Sequence, residues 1–219
     1  MQMNNKVALV AGASGLTGGY LLNLLLEAPE YREVIAYVRK HSGNRHPKLK
    51  EVIVDWDMLQ EPVVADDVYC CLGTTIKKAG SQEAFRKVDY DYPLQLAQIQ
   101  FQGGSQQFLL VSAIGADAKS SIFYSRVKGE LENALQAIGY TSLQIFRPSF
   151  IAGPRKESRP GERIGLAIFS FLSPLFIGPL KKYAPIHAEQ IARAMLRTAQ
   201  KNEQGTKLYD SAVTDELGK

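Results

Sequence analysis

Apolar residues follow two patterns along the chain. Short runs rich in β-branched residues predict buried strands at 6–11, 33–38, 51–54, 67–72, 107–111, 140–146 and 207–210. Apolar residues at helical spacing predict helices at 20–26, 81–88, 90–101, 124–135 and 186–199. Strands that alternate with helices are typical of α/β folds with a parallel sheet. We therefore predict a doubly wound parallel sheet with helices on both faces and a small C-terminal elaboration.

The length of the chain favours one domain. A chain of 219 residues can bury one full hydrophobic core, and we predict a single domain over 1–219 with 155–185 as an insertion. Within that insertion, 164–180 is the most apolar stretch of the sequence. Prolines and glycines interrupt this stretch, so we expect a pocket wall or a subunit contact there and no stable insertion into a membrane.

A glycine cluster follows the first predicted strand. Gly12, Gly15 and Gly18 have the spacing G-x-x-G-x-x-G at the point where the strand turns into the first predicted helix. Glycine allows such a turn to bring bare N–H groups and the positive end of the helix against a pyrophosphate. A dinucleotide-binding turn is therefore favoured over a turn with a purely structural role. The candidate binding residues of this turn are Gly12, Ser14, Gly15, Leu16, Thr17 and Gly18.

The end of the second predicted strand is basic. Arg39 and Lys40 stand where this kind of fold approaches the adenosine ribose, and a guanidinium there can bind the additional phosphate of NADP(H). The sequence therefore predicts NADP(H) in preference to NAD(H), with a solvated surface arginine as the alternative. Asp55 follows the third predicted strand, where it can meet the adenine or cap its own loop.

Two more turns follow predicted strands at the edge where ligands bind in open α/β sheets. After the sixth strand, a rigid turn that contains Pro148, Phe150 and Ile151 can place backbone groups against the nicotinamide carboxamide. After the fourth strand, a small hydroxyl-bearing turn is expected to contact the nicotinamide half of the cofactor. Its residues are Leu72, Gly73, Thr74 and Thr75.

The residues after that turn are basic. Lys77 and Lys78, followed by Gly80, predict a mobile loop over the site or a plain solvated loop. Cys70 and Cys71 are adjacent in an apolar run, so they are poorly placed for a mutual disulfide and offer no metal-ligand spacing.

The chemical centre predicted by the sequence is a tyrosine and a lysine on the helix at 124–135. Tyr124 and Lys128 are four residues apart and therefore share one helix face. A phenol with a pKa of about 10 is a weak acid-base group at neutral pH unless a nearby cation stabilises the phenolate. Lys128 can supply that charge and can also hold the ribose of the cofactor. Ser112, at the end of the fifth strand, could hydrogen-bond a substrate carbonyl and polarise it.

Charge and composition narrow the partners. The net charge of +4 is spread along the chain, and no basic stripe or nucleic-acid motif is present, so we expect a small-molecule substrate and no nucleic acid. The N-terminal residues lack the basic, apolar pattern of a secretory leader, which predicts a cytoplasmic location.

The sequence resembles the short-chain dehydrogenase/reductase superfamily, in particular its atypical branch of small proteins similar to the Tat-interactive-protein oxidoreductases and their bacterial relatives. The resemblance covers almost the whole chain. It is carried by GASGLTGG at 12–19, CCLGTT at 70–75, KAGS at 78–81, VDYDYPL at 88–94, YSRVKGE at 124–130, FRPSFI at 146–151 and ESRPGE at 157–162.

This resemblance implies a Rossmann-type fold that binds NADP(H) at the carboxyl edge of the sheet. It also implies the superfamily's catalytic roles for Ser112, Tyr124 and Lys128, with Tyr124 as the acid-base residue. We therefore predict an NADP(H)-dependent oxidoreductase that transfers hydride to or from a small carbonyl or alcohol substrate. The alternative is a non-catalytic NADP(H)-binding redox sensor. Members of the superfamily often pair through helices, so a homo-oligomer is compatible with this prediction.

Overall fold

A computed structural model describes residues 5–153 and 178–219 of the chain. The strands are β1 (Lys6–Ala11), β2 (Tyr31–Val38), β3 (Leu49–Ile53), β4 (Asp67–Cys70), β5 (Gln107–Val111), β6 (Ser142–Arg147), β7 (Ile151–Ala152), β8 (Ile186–His187) and β9 (Gly205–Asp210). Seven of these strands form one parallel sheet in the order β3-β2-β1-β4-β5-β6-β9, and β7 and β8 form a separate parallel pair.

Helices lie in several of the connections between the strands and after the last strand. They are α1 (Leu16–Glu27), α2 (Ile76–Ala79), α3 (Gln82–Arg86), α4 (Tyr92–Gln102), α5 (Phe123–Gln136), α6 (Ala188–Lys201) and α7 (Ser211–Gly218). A π-helical turn (Lys87–Asp91) joins α3 to α4, and a 3₁₀ turn (Gly178–Tyr183) precedes β8. The predicted α/β doubly wound parallel sheet is confirmed.

Alternation along the central strand separates two hydrophobic cores. Ala8 and Val10 of β1 belong to the core covered by α1 and α6, whereas Val7, Leu9 and Ala11 belong to the core covered by α4 and α5. Successive side chains of a strand point to opposite faces of the sheet. A strand that is apolar at every position is therefore buried on both faces, as a parallel sheet between two helix layers requires.

The central strands β1 and β4 define the position of the site. Ala11, the last residue of β1, pairs with Cys70, the last residue of β4. From this pair, β2 and β3 continue the sheet in one direction and β5, β6 and β9 in the other. In open α/β sheets, the crevice beyond the carboxyl ends of the strands at such a reversal is where ligands bind.

In the connection between β4 and β5, two local predictions differ from the structure. The loop expected around Lys77 and Lys78 contains the short helix α2, because the Thr75 hydroxyl accepts a hydrogen bond from the Lys78 amide at 3.2 Å and caps the helix. The two helices predicted at 81–88 and 90–101 form one continuous helical segment, in which the π-helical turn replaces the expected break.

Part of the predicted insertion lies outside the described residues, namely 155–177 of the range 155–185. The same holds for most of the apolar stretch 164–180. Within the residues that the structure does describe, no helix is both long enough and apolar enough to cross a membrane. The single domain over 1–219 stays a prediction.

Candidate active site

The glycine turn after β1 packs directly on the turn after β4. Gly12 has a φ of +89°, and a Cβ at this position would lie 2.5 Å from the carbonyl oxygen of Cys71. A Cβ on Gly18 would lie 2.2 Å from the carbonyl oxygen of Gly12. The sequence assigns these glycines to space for phosphates. The structure shows a further reason for glycine at Gly12 and Gly18, because a side chain at either position would collide with the protein's own backbone.

The start of α1 suits an anion. Its N-cap residue, Gly15, offers no side-chain hydrogen bond, and no acidic residue lies in the first turn of the helix. The first N–H groups of a helix have no acceptor within it, and the helix dipole adds positive charge there. Ser14 is exposed, Leu16 is partly buried and Thr17 is buried. The cradle at residues 12–18 therefore fits a pyrophosphate.

The residues that follow β2 and β3 lie at the same edge of the sheet as this cradle. Arg39 and Lys40 are both exposed, and no described residue forms an ion pair or a hydrogen bond with either. Oδ1 of Asp55 accepts a hydrogen bond from the Asp57 amide at 3.0 Å and closes this turn, and the contact of Asp55 with the adenine stays a prediction. Within this turn, the buried Trp56 stacks on Tyr92 with 5.6 Å between ring centroids.

The predicted pair on α5 is placed with one partner buried and the other accessible. The Lys128 side chain is buried, and its Nζ lies 2.7 Å from Oδ1 of Asp89, which is itself 1% exposed. Tyr124 is 36% exposed, and its ring packs on Phe85 of α3 with 5.6 Å between centroids. An accessible phenol thus lies one helical turn from a buried ammonium.

Asp89 was not singled out by its sequence pattern. It stands in the π-helical turn, and its second carboxylate oxygen accepts a hydrogen bond from the Thr74 amide at 2.8 Å. This carboxylate therefore links Lys128 to the turn at 72–75, in which Leu72, Thr74 and Thr75 are partly buried and Gly73 is exposed. The only sequence signal was its place in the VDYDYPL block of the family resemblance.

The environment changes the acidity of both members of the pair. Tyr124 is exposed on one side only, and the burial of the rest of its side chain raises its pKa; Lys128 opposes this effect and Asp89 adds to it. Burial alone would lower the pKa of Lys128, but the charge of Asp89 and the nearby Tyr124 outweigh it, so the pKa is raised. Lys128 is therefore held as an ammonium. It favours the Tyr124 phenolate as the sequence predicts, yet not enough to lower the pKa of Tyr124 below its ordinary value.

Ser112 has another partner in the structure. Its hydroxyl donates to Oε1 of Glu132 at 2.5 Å, and Glu132 is buried on α5, where it forms an ion pair with Arg147. A serine hydroxyl has one proton. In this arrangement that proton is used by Glu132 and is not available to a substrate carbonyl. The catalytic role of Ser112 stays a prediction, and Glu132 is a second residue that sequence reasoning missed.

The turn after β6 is fixed at the same edge of the sheet. The carbonyl oxygen of Pro148 accepts from the Ile114 amide at 2.8 Å, and that of Phe150 accepts from the Ile186 amide at 3.0 Å. Ile151 begins β7. A Cβ on Gly153 would lie 3.1 Å from the side chain of Leu16, so this turn lies against the start of α1.

Comparison with known proteins assigns the family. No family model matches the chain. Protein HTATIP2 of Rattus norvegicus is 36% identical over 178 residues, which are 78% of this chain and 73% of the rat protein. Protein FMP52, mitochondrial, of Candida albicans is 32% identical over 213 residues, 93% of this chain and 92% of the yeast protein. The chain belongs to the family of HTATIP2 and FMP52. The resemblance predicted from the motifs is thereby confirmed.

Solved structures share the fold of this HTATIP2 and FMP52 family member. MoeE5 in complex with UDP-glucose and NAD matches with a TM-score of 0.68 at 17% identity, over 92% of this chain and 74% of that protein. Human epimerase family protein SDR39U1 with NADPH matches with a TM-score of 0.64 at 18% identity, over 96% of this chain and 77% of the human protein. At these identities the likeness shows the Rossmann-type fold of NAD(P)-binding proteins.

The family members also correct one prediction. The cytoplasmic location expected from the sequence is wrong on this comparison, because relatives from Candida albicans, Emericella nidulans and Aspergillus clavatus are named mitochondrial proteins. These names point to mitochondria rather than to the cytoplasm.

Proposed function

We propose that the protein is an NADP(H)-dependent oxidoreductase that interconverts a small carbonyl compound and its alcohol, with Tyr124 as the acid-base residue. One observation carries the proposal: an accessible phenol stands one helical turn from a buried ammonium, and a carboxylate ties that ammonium to the turn after β4. A group that exchanges a proton with substrate has to be accessible, whereas a group that acts through its charge is strongest when buried.

The cofactor half of the proposal uses the carboxyl edge of the sheet. Bound NADPH would supply the hydride. The cradle at 12–18 would hold the pyrophosphate, Arg39 and Lys40 the additional phosphate, and Asp55 the adenine. Lys128 would hold the ribose of the nicotinamide half. The residues that would contact the nicotinamide are Leu72, Gly73, Thr74, Thr75, Pro148, Phe150 and Ile151.

The substrate half of the proposal uses the hydroxyl of Tyr124. In the reductive direction Tyr124 donates its proton to the substrate oxygen, and in the oxidative direction its phenolate accepts that proton. The charge of Lys128 stabilises the phenolate in both directions. Ser112 would assist by polarising the carbonyl only if its proton left Glu132.

The experiment is the Tyr124→Phe variant, which removes one hydroxyl from the site. NADPH oxidation is measured with a panel of aldehydes and ketones, and cofactor affinity is measured by NADPH fluorescence. We expect turnover to fall by about 10²- to 10⁴-fold, because general acid catalysis contributes that much, and the affinity for NADPH to stay within about twofold.

The matched control is Tyr140→Phe, which removes a buried hydroxyl that donates to the carbonyl oxygen of Ala97 at 2.7 Å. Tyr140 lies just before β6, at the opposite edge of the sheet from Tyr124, so turnover should be retained. Wild-type turnover in Tyr124→Phe would contradict the proposal. NADPH binding without oxidation of NADPH by any compound of the panel would favour the redox-sensor alternative.

A further inference from the structure

Asp89 is a buried carboxylate whose two oxygens have different partners. Oδ1 lies 2.7 Å from Nζ of Lys128, and Oδ2 accepts from the Thr74 amide at 2.8 Å. The π-helical turn Lys87–Asp91 presents this residue, and the Tyr92 amide closes the turn on the carbonyl oxygen of Lys87. Short π-helical turns within a longer helix are rare and occur frequently at functional sites.

We propose that Asp89 is a positioning residue for the proposed reaction: it ties the ammonium of Lys128 to the backbone of the turn at Thr74 and sets the field that this ammonium exerts on the Tyr124 hydroxyl. The inference rests on the proposed function for its catalytic meaning. The inference also goes beyond the proposed function, because the roles proposed for Tyr124 and Lys128 do not require a buried carboxylate that joins Lys128 to the turn at Thr74.

Among the described residues, two charged groups act on Tyr124. Lys128 faces it from α5 and Asp89 from the π-helical turn, whereas α3 presents the apolar ring of Phe85. The thiol of Cys70, on β4, lies near both Lys128 and Asp89, and burial raises its pKa to about 11. Lys128 and Asp89 carry opposite charges, so Asp89 offsets part of the effect that Lys128 has on the phenol.

The charge of Asp89 changes the pH at which Tyr124 loses its proton. A bare ammonium beside Tyr124 would pull the proton off the phenol at lower pH, which suits removal of a proton from an alcohol. Burial is the main cause of the raised pKa of Tyr124, and the charge of Asp89 adds to it, so with Asp89 in place Tyr124 keeps its proton to higher pH. A protonated phenol donates to a substrate oxygen, so Asp89 favours the reduction of a carbonyl compound at neutral pH.

The test is Asp89→Asn, read by NMR of the apoprotein with carbon-13 at Cζ of tyrosine and Cε of lysine. Tyr124→Phe and Lys128→Met assign the two resonances. Tyr124 and Lys128 are coupled, so the pH at which the pair loses its first proton is the measured quantity. We expect it to fall by about one pH unit or more in Asp89→Asn, because an opposite charge at this distance shifts a pKa by about 1 to 3.

The matched control is Asp67→Asn. Asp67 is 2% exposed, pairs with Lys6 at 3.2 Å and accepts from the Tyr31 hydroxyl at 2.6 Å, but it begins β4 at the opposite edge of the sheet. It should lose a comparable amount of stability and leave the Tyr124 resonance unchanged. Asp89→Glu keeps the charge and should return the titration towards that of the wild type.

If Asp89→Asn does not fold, Lys128→Met tests the link from the other side. The ammonium that lowers the pKa of Tyr124 is then absent, so Tyr124 should titrate at higher pH than in the wild type. Unchanged titration in Asp89→Asn, or in Lys128→Met, overturns the inference. Because these readouts involve no turnover, they are independent of the activity of Tyr124→Phe, which tests the proposed function.

Discussion

Among single residues, Arg39 is the one proposed to select NADP(H) over NAD(H). It directly follows β2, is exposed, and has no partner among the described residues. A hydrogen bond to a charged group contributes about 1.5 to 3 kcal/mol. Arg39→Ala should therefore weaken NADPH binding by about 10- to 100-fold and leave NADH binding nearly unchanged, as measured by fluorescence titration with both nucleotides.

The control for this variant is Arg32→Ala. Arg32 is an exposed arginine near the start of the same strand, where its Nε donates to the carbonyl oxygen of Asn5 at 3.0 Å. It should leave both affinities unchanged. An equal loss of NADPH and NADH affinity in Arg39→Ala would show that Arg39 does not discriminate between the two cofactors.

Some residues of the candidate site could be predicted from the sequence, and others could not. Tyr124 and Lys128 were predictable, because a spacing of four residues on a helix places two side chains on one face whatever the fold. Asp89 and Glu132 were not, because each is defined by a partner from another part of the chain: Asp89 by Lys128, and Glu132 by Ser112 and Arg147. A single acidic residue in a helix carries no indication of such a partner.

At the scale of the element, the start of α1 depends on its contact with the preceding turn. A Cβ on Gly18 would lie 2.2 Å from the carbonyl oxygen of Gly12, whereas a Cβ on Gly19 would lie 3.5 Å from that of Ala13, an ordinary contact. Gly18→Ala should therefore reduce the free energy of unfolding by about 1–3 kcal/mol, the usual effect of overpacking, and should weaken NADPH binding.

Gly19→Ala is the control in the same helix. It should be neutral or stabilise by about 0.5–1 kcal/mol, since alanine is the better helix former. Urea unfolding and NADPH titration measure both variants. Equal stability of Gly18→Ala and Gly19→Ala would contradict the close approach of the two backbone segments.

The strands of the sheet were predictable, while several connections were not. Apolar runs such as 107–111 correspond residue for residue to β5, because burial on both faces leaves a continuous signal. The helix α2 spans four residues, too few for a periodic pattern, and depends on the Thr75 cap. The π-helical turn differs from an α-helix only in its hydrogen-bond partners, so apolar spacing could not reveal it.

At the scale of the whole molecule, buried phenols make the fold sensitive to alkaline pH. Burial raises the pKa values of Tyr31, Tyr69 and Tyr140, and raises that of Tyr209 to about 12. In the unfolded chain these tyrosines lose their protons near pH 10. Their contribution to stability is therefore complete below about pH 9 and is lost as the pH rises above about 10.

We accordingly expect the urea midpoint to be lower at pH 11 than at pH 9. Each phenol that stays protonated only in the folded state lowers the free energy of unfolding by about 1.4 kcal/mol for each pH unit of rise in that window. Tyr140→Phe removes one such group and should make the decline shallower. Equal midpoints at the two pH values would show that the buried tyrosines ionise as readily in the folded state as in the unfolded state.

The parallel order of the strands also determines when each strand can pair during synthesis on the ribosome. β1 is synthesised well before its neighbour β4, which begins only at Asp67, and β6 (Ser142–Arg147) can pair with β9 only after Gly205–Asp210 has been synthesised. Parallel neighbours cannot close through a hairpin, so each pairing requires the intervening segment of the chain to be released first. Until then a growing chain exposes unpaired strand edges, which are the surfaces that chaperones protect from aggregation.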